Sequence, residues 1–568
     1  MAILQIGAGG VGWVIAHKAA QNNDVLGDIT IASRTLSKCE KIIDSIKNGL
    51  KEASDIGYPV MVKASAGGGG KGMRIAYNKN ELEENFNSAI NEAKSSFGDD
   101  RVFIEKFVEE PRHIEIQIIG DQSGNIIHLG ERECSIQRRH QKVIEEAPSI
   151  FVDNNLREKM ASQAIKLAKS VGYYSAGTVE FVVDKNKNFF FLEMNTRLQV
   201  EHPVTELITG LDLVELMIRV AAGERIKVSQ KDIKFNGWAI EARIYAEDSA
   251  RKFLPSIGRL TRYIEPQSKG IRIDSGVVEG TEISMFYDPM ISKLCVYSKN
   301  RETAIDSMVG VLDRYLIDGV KTNRDFLSSI LQNKDFRNGD FSTNFIAKNY
   351  NDGFDAEKSL TSNFDEICAI ATFVHYKYMK RAASISNQVK GFNRMIGSEW
   401  NVITKKKKIK SKITFNNYNK NYDVFINNKY FNIKSDWKIG FPLLSALIDN
   451  KVLYFEVSRN GPRYSITHKS SKLDMFVLSN EHSELNSLMI PRRKVDTSNF
   501  LLSPMPGLLT SILVKKDQKV QEGESLVVIE AMKMENIIKA EKDLVVKEIF
   551  AKEGDSLLVD QSIIEFEK

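Results

Sequence analysis

Glu530-Ala-Met-Lys-Met-Glu535 is the stretch that decides the fold of the C-terminal part of the chain. An internal repeat surrounds it, in which four apolar residues recur 37 positions later: Ile512, Val520, Leu526 and Ile529 correspond to Ile549, Leu557, Ile563 and Phe566. Two similar halves that flank a short hairpin predict a quasi-twofold, flattened β-barrel with Lys533 at an exposed tight turn. Such a lysine is accessible to a modifying enzyme and is presented by a rigid scaffold. The pattern therefore predicts covalent attachment to Lys533, with an ordinary surface lysine as the alternative.

The totals indicate a globular protein with several domains. The chain has 568 residues, and single domains mostly hold ~100–200. A net charge of +5 is small for this length, so nucleic-acid binding is not predicted. No apolar run approaches the ~20 residues that span a bilayer, and the N-terminus does not resemble a signal peptide. The four cysteines are far apart, which favours a reducing compartment, so we predict a cytoplasmic protein.

A glycine-rich loop follows an apolar strand in Lys63-Ala-Ser-Ala-Gly-Gly-Gly-Gly-Lys-Gly-Met73. Glycines let backbone N–H groups close on phosphate oxygens, and lysines neutralise the phosphate charge. Taken alone, this loop is also compatible with a linker. Glu180, Glu193 and Asn195 stand at the edges of strand-like runs further along. Two carboxylates and an amide oxygen are hard ligands that suit Mg²⁺ on nucleotide phosphates, although two unrelated surface carboxylates would give the same pattern.

Longer motifs extend this pattern, and the chain resembles a known family through them. They are Phe103-Ile-Glu-Lys-Phe-Val108, Pro111-Arg-His-Ile-Glu115, Glu131-Arg-Glu-Cys-Ser-Ile-Gln-Arg-Arg-His-Gln-Lys142, Glu193-Met-Asn-Thr-Arg-Leu-Gln-Val-Glu-His-Pro203 and Glu241-Ala-Arg-Ile-Tyr-Ala-Glu-Asp248. With them, the chain resembles the biotin carboxylase of biotin-dependent acyl-CoA carboxylase alpha subunits of the propionyl-CoA carboxylase type. The C-terminal segment resembles their biotinyl domain. The related lipoyl domain usually lacks the paired methionines that flank Lys533.

The resemblance implies a multidomain α/β and β protein. Its predicted parts are a partial Rossmann-like βαβα fragment (1–48), an ATP-grasp domain (54–250), a biotin carboxylase C-terminal domain (251–348), a β-rich subunit-docking middle domain (350–495) and a flattened β-barrel biotinyl carrier domain (501–568).

The resemblance also implies a role for individual residues. ATP would be contacted by Lys63, Gly69, Gly70, Glu105, Lys106, Val108, His113, Gln137 and His140. Mg²⁺ or Mn²⁺ would be held by Glu180, Glu193 and Asn195, and bicarbonate by Arg197, Gln199 and Val200. The implied catalytic residues are Lys142, Arg197, Glu201 and Arg243, and biotin would be attached to Lys533.

The implied mechanism suits these residue types. Glu201 would deprotonate bicarbonate, whose oxygen attacks the γ-phosphate of ATP to give carboxyphosphate. Lys142 and the metal would offset the charge that grows on the transferring group. Arg243 would stabilise the enolate of biotin, because a guanidinium stays charged at any working pH. For each residue considered alone, the alternative interpretation is an ordinary surface ion pair.

The domain order implies a ligase that carboxylates biotin with bicarbonate and ATP. Carboxybiotin would then be carried to a carboxyltransferase beta subunit that acts on an acyl-CoA, and propionyl-CoA is the predicted substrate. Methylcrotonyl-CoA and other acyl-CoA carboxylases share the layout and stay open. A biotin protein ligase and an oligomeric assembly are also predicted, and neither a nucleic acid nor a membrane is an expected partner.

The N-terminus departs from the family pattern. It lacks the Asn-Arg-Gly-Glu motif of the usual first subdomain and the ATP-contacting lysine before the glycine loop. Gly7-Ala-Gly-Gly-Val-Gly12 and Ile31-Ala-Ser-Arg-Thr35 resemble instead the opening of the saccharopine dehydrogenase family. Ser33 and Arg34 would suit the 2′-phosphate of NADP, but one such glycine motif is a weak signal. We therefore expect a carboxylase that lacks its N-terminal subdomain, and a non-catalytic biotin carrier and docking chain is the alternative function.

Overall fold

The computed structural model shows a chain that divides into two compact units. One comprises residues 1–111 and 183–188, and the other comprises residues 112–182 and 189–568. The structure describes residues 3–6, 29–32, 56–64, 73–82, 85, 89, 102–138, 141–351, 353–356, 363–386, 391, 394–418, 420–490, 499–532 and 534–567.

The first unit contains two small sheets. In the first sheet, β1 (Ile3–Ile6) pairs in parallel with β2 (Ile29–Ala32), in agreement with the predicted strands of the N-terminal fragment. The predicted helix between them lies outside the described residues. In the second sheet, β3 (Val60–Ala64) lies between two antiparallel neighbours, β4 (Met73–Ala76) and β5 (Val102–Lys106). The alternation of Val60 and Val62, both fully buried, places one face of β3 on an apolar core.

A large sheet, with strands of different lengths, forms the centre of the first part of the second unit. Its strands and the short strands beside it are β6 (Arg112–Gly120), β7 (Ile126–Arg138), β8 (Gln141–Ala147), β9 (Ser175–Val183), β10 (Phe189–Asn195), β11 (Trp238–Tyr245), β12 (Glu247–Asp248), β13 (Leu254–Pro255), β14 (Gly258–Arg259), β15 (Arg262–Ile264), β16 (Ile271–Ser275), β17 (Glu282–Ile283), β18 (Met290–Ser298) and β19 (Leu316–Asp318). Across the 8-stranded sheet the order is β10-β9-β6-β7-β8-β11-β18-β16. Strands β6 to β9 and β11 therefore lie side by side at its centre.

Helices pack beside this sheet. They are α1 (Asn154–Ser170), α2 (His202–Thr209), α3 (Leu213–Ala221), α4 (Arg301–Leu312), α5 (Arg324–Gln332), α6 (Lys334–Asn338) and α7 (Phe345–Asn349). Helix α2 begins directly after Glu201, its N-cap residue, and has a proline in the first turn. Proline suits that position because its fixed φ matches the helix and its missing N–H has no partner there in any case. The start of α2 thus fixes the backbone that carries Glu201.

The middle of the chain folds as a closed barrel with a helix packed in its core. The helix is α8 (Phe364–Ala383). The strands are β20 (Glu399–Thr404), β21 (Lys408–Asn416), β22 (Asn421–Ile426), β23 (Lys429–Lys434), β24 (Leu443–Ile448), β25 (Lys451–Asn460), β26 (Arg463–His468) and β27 (Ser471–Leu478), and α9 (Asn480–Ser487) follows them. Apolar residues of α8 such as Phe373 share one buried cluster with inward-facing strand residues such as Val424. This confirms the prediction of antiparallel strands around a helix.

The C-terminal region forms two four-stranded sheets. Its strands are β28 (Phe500–Leu502), β29 (Gly507–Ile512), β30 (Lys519–Val520), β31 (Ser525–Ala531), β32 (Met534–Lys539), β33 (Leu544–Ile549), β34 (Ser556–Leu557) and β35 (Ser562–Phe566). The sheet orders are β28-β35-β33-β30 and β32-β31-β29-β34. The repeated residues Leu526 and Ile529 are buried in one cluster with their counterparts Ile563 and Phe566. The predicted flattened barrel is therefore present, and Lys533 itself lies outside the described residues.

The expectations about the cysteines and about membrane-spanning segments can be compared with the structure. Three of the cysteines, Cys134, Cys295 and Cys368, are buried free thiols. Among the described residues, no helix combines the length and apolar character that crossing a lipid bilayer requires.

Candidate active site

Lys142, on β8, lies at the centre of a buried group of charges. Its Nζ is 2.6 Å from Oε2 of Glu115, 3.1 Å from Oε1 of Glu180 and 2.5 Å from Oε1 of Glu201. Burial lowers the pKa of Lys142, but the surrounding carboxylates, Glu115 foremost, raise it by more than burial lowers it. The pKa of Lys142 therefore lies above its ordinary value. The site therefore contains a fixed positive charge held by three carboxylates.

Glu201 connects Lys142 to Arg243. Its second carboxylate oxygen, Oε2, accepts a hydrogen bond from Nη2 of Arg243 at 3.0 Å, and Nε of Arg243 donates to Oε1 of Glu145 at 2.6 Å. Glu201 is only 2% exposed. Burial lowers the pKa of Arg243, but Glu145 and Glu201 hold it well above its ordinary value. Three of the four predicted catalytic residues thus form one continuous chain of charge-assisted hydrogen bonds.

Glu180, on β9, joins this chain to the predicted metal ligands. Its Oε2 is 2.8 Å from Nε2 of His113, and its Oε1 accepts hydrogen bonds from the amides of Gln199 at 2.6 Å and Asn195 at 3.0 Å. Burial raises the pKa of Glu180, but the hydrogen bond from His113 and the charge of Lys142 outweigh it and place the pKa at about 2. Glu180 is therefore an anion under all ordinary conditions.

Carboxylates that could hold a hard divalent cation cluster around Glu180, while Asn195 turns its amide nitrogen, a donor, towards Glu180 and Glu193. Glu193 and Asn195 lie on the neighbouring strand β10, with Nδ2 of Asn195 3.4 Å from Oε1 of Glu193. Ligand atoms of His113, Glu115 and Glu180 also lie within 4.8 Å of one another. Carboxylate and amide oxygens are the ligands that Mg²⁺ and Mn²⁺ prefer. The structure thus brings the three predicted metal ligands to adjacent strands, and Glu180 belongs to both groups.

Arg132, which the sequence reasoning missed, lies beneath the site. It is fully buried, and its Nε donates to Glu115. Its remaining donors reach side-chain oxygens within 3.1 Å on three different elements and on the connection before α2: Gln117, Thr205, Thr178 and Gln199. Arg132 therefore holds in place Glu115 and Gln199, which contact Lys142 and Glu180 respectively.

The sequence does contain a signal for part of this network. Along β6, His113, Glu115 and Gln117 alternate with isoleucines. Because successive strand residues point to opposite faces, the three polar side chains share one face. Polar alternation inside a strand that is buried on both faces is a mark of a site, and it could have revealed Glu115 and Gln117.

We expect Arg132→Met to destabilise the protein by about 3–5 kcal/mol, because a buried carboxylate and several buried polar groups lose their partner. Urea denaturation followed by circular dichroism would measure the loss. Arg219→Met is the matched control, since the side chain of Arg219 is 47% exposed on α3. Equal midpoints for the two variants would show that the network does not stabilise the fold.

The other predicted residues that the structure describes in the second unit are Arg197, Val200 and Gln137. Arg197 is exposed, and its Nη1 is 3.5 Å from the carbonyl oxygen of Leu198. The carbonyl oxygen of Val200 accepts a hydrogen bond from Nζ of Lys293 at 2.9 Å. The side-chain amide of Gln137 donates to the carbonyl of Cys134 at 2.9 Å. Arg197 thus has an accessible guanidinium, while Val200 is fixed through its backbone.

The first unit contains four more of the predicted ATP-binding residues. Lys63 on β3 forms an ion pair with Glu105 on the adjacent strand β5. Nζ of Lys106 donates to the carbonyl oxygens of Gly57 at 2.9 Å and Tyr58 at 3.1 Å. Val108 is half-buried just after β5. The remaining predicted residues, Gly69, Gly70 and His140, lie outside the described residues.

Four protein families match consecutive parts of the chain. Residues 22–229 match the ATP-binding domain of carbamoyl-phosphate synthase L chain, and residues 241–348 match the biotin carboxylase C-terminal domain. Residues 367–492 match the propionyl-coenzyme A carboxylase BT domain, and residues 500–566 match the family described as biotin-requiring enzyme. The first match begins inside the segment for which we predicted a separate dinucleotide-binding fragment.

Relatives that match most of the chain decide the family. The propionyl-CoA carboxylase alpha chain of Ruegeria pomeroyi is 48% identical over 546 residues, which are 93% of this chain and 80% of that protein. The chain belongs to the propionyl-CoA carboxylase alpha chain family. The human mitochondrial propionyl-CoA carboxylase alpha chain is 45% identical over 538 residues, 94% of this chain and 74% of that protein. This family of ligases carries out biotin carboxylation and carries the biotin, so the predicted enzyme class and general function are confirmed.

A solved structure confirms the predicted carboxylase fold. The biotin carboxylase domain of Hydrogenobacter thermophilus 2-oxoglutarate carboxylase, in complex with MgADP, ADP and bicarbonate, is 51% identical to the aligned part. It matches with a TM-score of 0.50 over 53% of this chain and 67% of that chain. The family matches likewise confirm biotin and ATP as ligands of a member of this family. The resemblance of the N-terminus to saccharopine dehydrogenase stays a prediction.

Proposed function

We propose that this chain carboxylates biotin with bicarbonate and ATP, and that a carboxyltransferase beta subunit then transfers the carboxyl group to propionyl-CoA. The buried chain from Lys142 through Glu201 to Arg243, beside the anionic Glu180, carries this proposal. Within hydrogen-bonding distance of one another, it joins the base Glu201, the positively charged side chains of Lys142 and Arg243, and the proposed metal ligand Glu180. The Ruegeria and human relatives are named for propionyl-CoA carboxylase, which supports that substrate over methylcrotonyl-CoA.

Glu201 acts as the general base in this mechanism. Arg197, Gln199 and the backbone of Val200 hold bicarbonate, and Glu201 accepts its proton. The freed oxygen attacks the γ-phosphorus of ATP, so that carboxyphosphate forms and ADP leaves. Lys142 and Arg243 contact both carboxylate oxygens of Glu201, which orients the base before the proton is transferred.

Glu180, Glu193 and Asn195 would hold Mg²⁺ or Mn²⁺, which supplies charge neutralisation to the nucleotide phosphates when bound. Lys142 stays protonated and adds a second positive charge for the transferring phosphoryl group. The remaining ATP contacts are proposed for Lys63, Gly69, Gly70, Glu105, Lys106, Val108, His113, Gln137 and His140.

Lys533 is the proposed biotin attachment site. The attached biotin would supply a ureido nitrogen that loses its proton and accepts the carboxyl group, while carboxyphosphate releases inorganic phosphate. Arg243 offsets the negative charge that develops beside Glu201, because its guanidinium is charged at any working pH. The hydrogen bond from Arg243 to Glu145 holds the guanidinium in that position.

The BT-domain match at residues 367–492 supports a carboxyltransferase beta subunit as the partner that docks on the barrel around α8. We further propose a biotin protein ligase that modifies Lys533, an oligomeric holoenzyme and a cytoplasmic location. Three buried free thiols are compatible with a reducing compartment.

Bicarbonate-dependent hydrolysis of ATP tests the proposed carboxylase. The purified chain, supplied with free biotin and Mg²⁺, is expected to release ADP at a rate that rises with bicarbonate. A rate independent of bicarbonate and equal to that of the Glu201→Gln variant would favour the alternative, a non-catalytic carrier and docking chain. Adding the beta subunit with propionyl-CoA or methylcrotonyl-CoA would then decide the acyl-CoA substrate.

A further inference from the structure

The hairpin of the biotinyl domain contacts the carboxylase C-terminal domain directly. The backbone N–H of Met532 donates to the carbonyl oxygen of Met285 at 2.7 Å. The side chain of Met532 is only 2% exposed, and it belongs to the hydrophobic cluster of the carboxylase that includes Phe253 and Ile283. The residue immediately before Lys533 in the sequence is therefore inserted into another domain.

A second contact lies away from the hairpin, and in it the carboxylase domain donates the hydrogen bond to the biotinyl domain. Nη2 of Arg251 donates to the carbonyl oxygen of Pro504 at 2.9 Å, close to the entry of the biotinyl domain. The neighbouring Leu254, on β13, packs against the core cluster of the biotinyl domain that includes Met505 and Leu509. Each domain thus contributes one apolar side chain to the cluster of the other.

The position of Met285 connects this contact to the active site. Met285 lies between β17 and β18, and β18 pairs with β11 so that Lys293 stands opposite Arg243. The backbone N–H of Ala246, just after β11, donates to the carbonyl of Pro289 in the same connection at 2.8 Å. The segment that contacts the hairpin is therefore held to the strand that carries Arg243.

We propose that Arg251, Leu254 and the carbonyl of Met285 form a docking surface for the biotinyl domain of this chain, and that Met532 is its anchor while biotin is being carboxylated. The proposal rests on the proposed carboxylase function. Two hydrogen bonds and two exchanged apolar side chains make a small interface, as suits a transient contact. A carrier that must also reach a beta subunit needs such a contact, because the covalent connection already supplies a high effective concentration.

The docking surface predicts a difference between attached and free biotin. Arg251→Ala and Met532→Ala are expected to slow carboxylation of the attached biotin about tenfold, equivalent to ~1.4 kcal/mol. ATP hydrolysis with free biotin as the acceptor is expected to stay at the wild-type rate in both variants. Met532→Leu, which keeps the apolar volume, is expected to restore most of the rate.

The measurement uses the full biotinylated chain in a single turnover with radiolabelled bicarbonate, read as label incorporated into protein. Mass spectrometry first establishes equal biotin content, and Arg262→Ala is the control, since Arg262 is an exposed arginine of the same domain. Wild-type loading rates in both Arg251→Ala and Met532→Ala would overturn the docking surface. If the wild-type chain showed no bicarbonate-dependent ATP hydrolysis, that result would instead overturn the proposed carboxylase function.

Discussion

Replacing Glu201 with glutamine is expected to lower bicarbonate-dependent ATP hydrolysis about 10²–10⁴-fold, which is the usual contribution of a general base. Glutamine keeps the size of the side chain and can still hydrogen-bond, but it cannot accept the proton of bicarbonate. The charges of Lys142 and Arg243 keep other partners in this variant, because Glu115 and Glu180 contact Lys142, and Glu145 contacts Arg243. The loss should therefore appear mainly in kcat rather than in folding.

The measurement is ADP release at saturating ATP and free biotin, with bicarbonate varied over a wide range. Glu158→Gln provides the control, because Glu158 is an exposed glutamate on α1. A rate for Glu201→Gln within a factor of about two of the control would exclude Glu201 as the base. A normal kcat with a raised KM for bicarbonate would instead indicate a residue that only binds the substrate.

The sequence contained enough information to single out Lys142, Glu201 and Arg243 as candidates, because each lies within a long motif that resembles one family. The structure adds what the motifs do not state: Glu201 bridges the two cations through its two oxygens. The barrel around α8 was predictable only as strands around a helix. Its closure depends on the pairing of β20 with β27, which no local pattern indicates.

Arg132 shows why part of the site escaped prediction. Its donors reach Glu115, Gln117, Thr178, Gln199 and Thr205, which are separated from it by 15 to 73 positions along the chain. Taken by itself, an arginine within a charged run such as Glu131-Arg-Glu133 is indistinguishable from a surface residue. The period of β6 reveals polar residues on a shared face, but only the order of the strands shows which arginine is beneath them. The docking of Met532 depends on tertiary structure in the same way.

Replacing Lys533 with alanine is expected to abolish covalent biotin on this chain completely, because Lys533 is the residue that we propose forms the amide bond with the cofactor. The flanking structure supports the site. Ala531 and Met534 pair at the ends of β31 and β32, and Met532 has a φ of 49°, a positive value that suits the first residue of a tight hairpin connection. Co-expression with a biotin ligase and intact mass spectrometry would show one biotin on the unmodified chain and none on the variant.

Lys539→Ala is the matched control for this experiment, because Lys539 is an exposed lysine at the far end of β32. This substitution should leave the biotin label unchanged.

The same preparation also distinguishes biotin attachment from ATP-dependent turnover. The Lys533→Ala chain should still hydrolyse ATP with bicarbonate and free biotin at the normal rate, since the residues from Lys142 to Arg243 are untouched. It should nevertheless fail to support any carboxyl transfer to an acyl-CoA when the beta subunit is added. Persistence of the biotin label in Lys533→Ala would move the attachment site to another lysine and would remove the basis for Met532 as the anchor of the carrier.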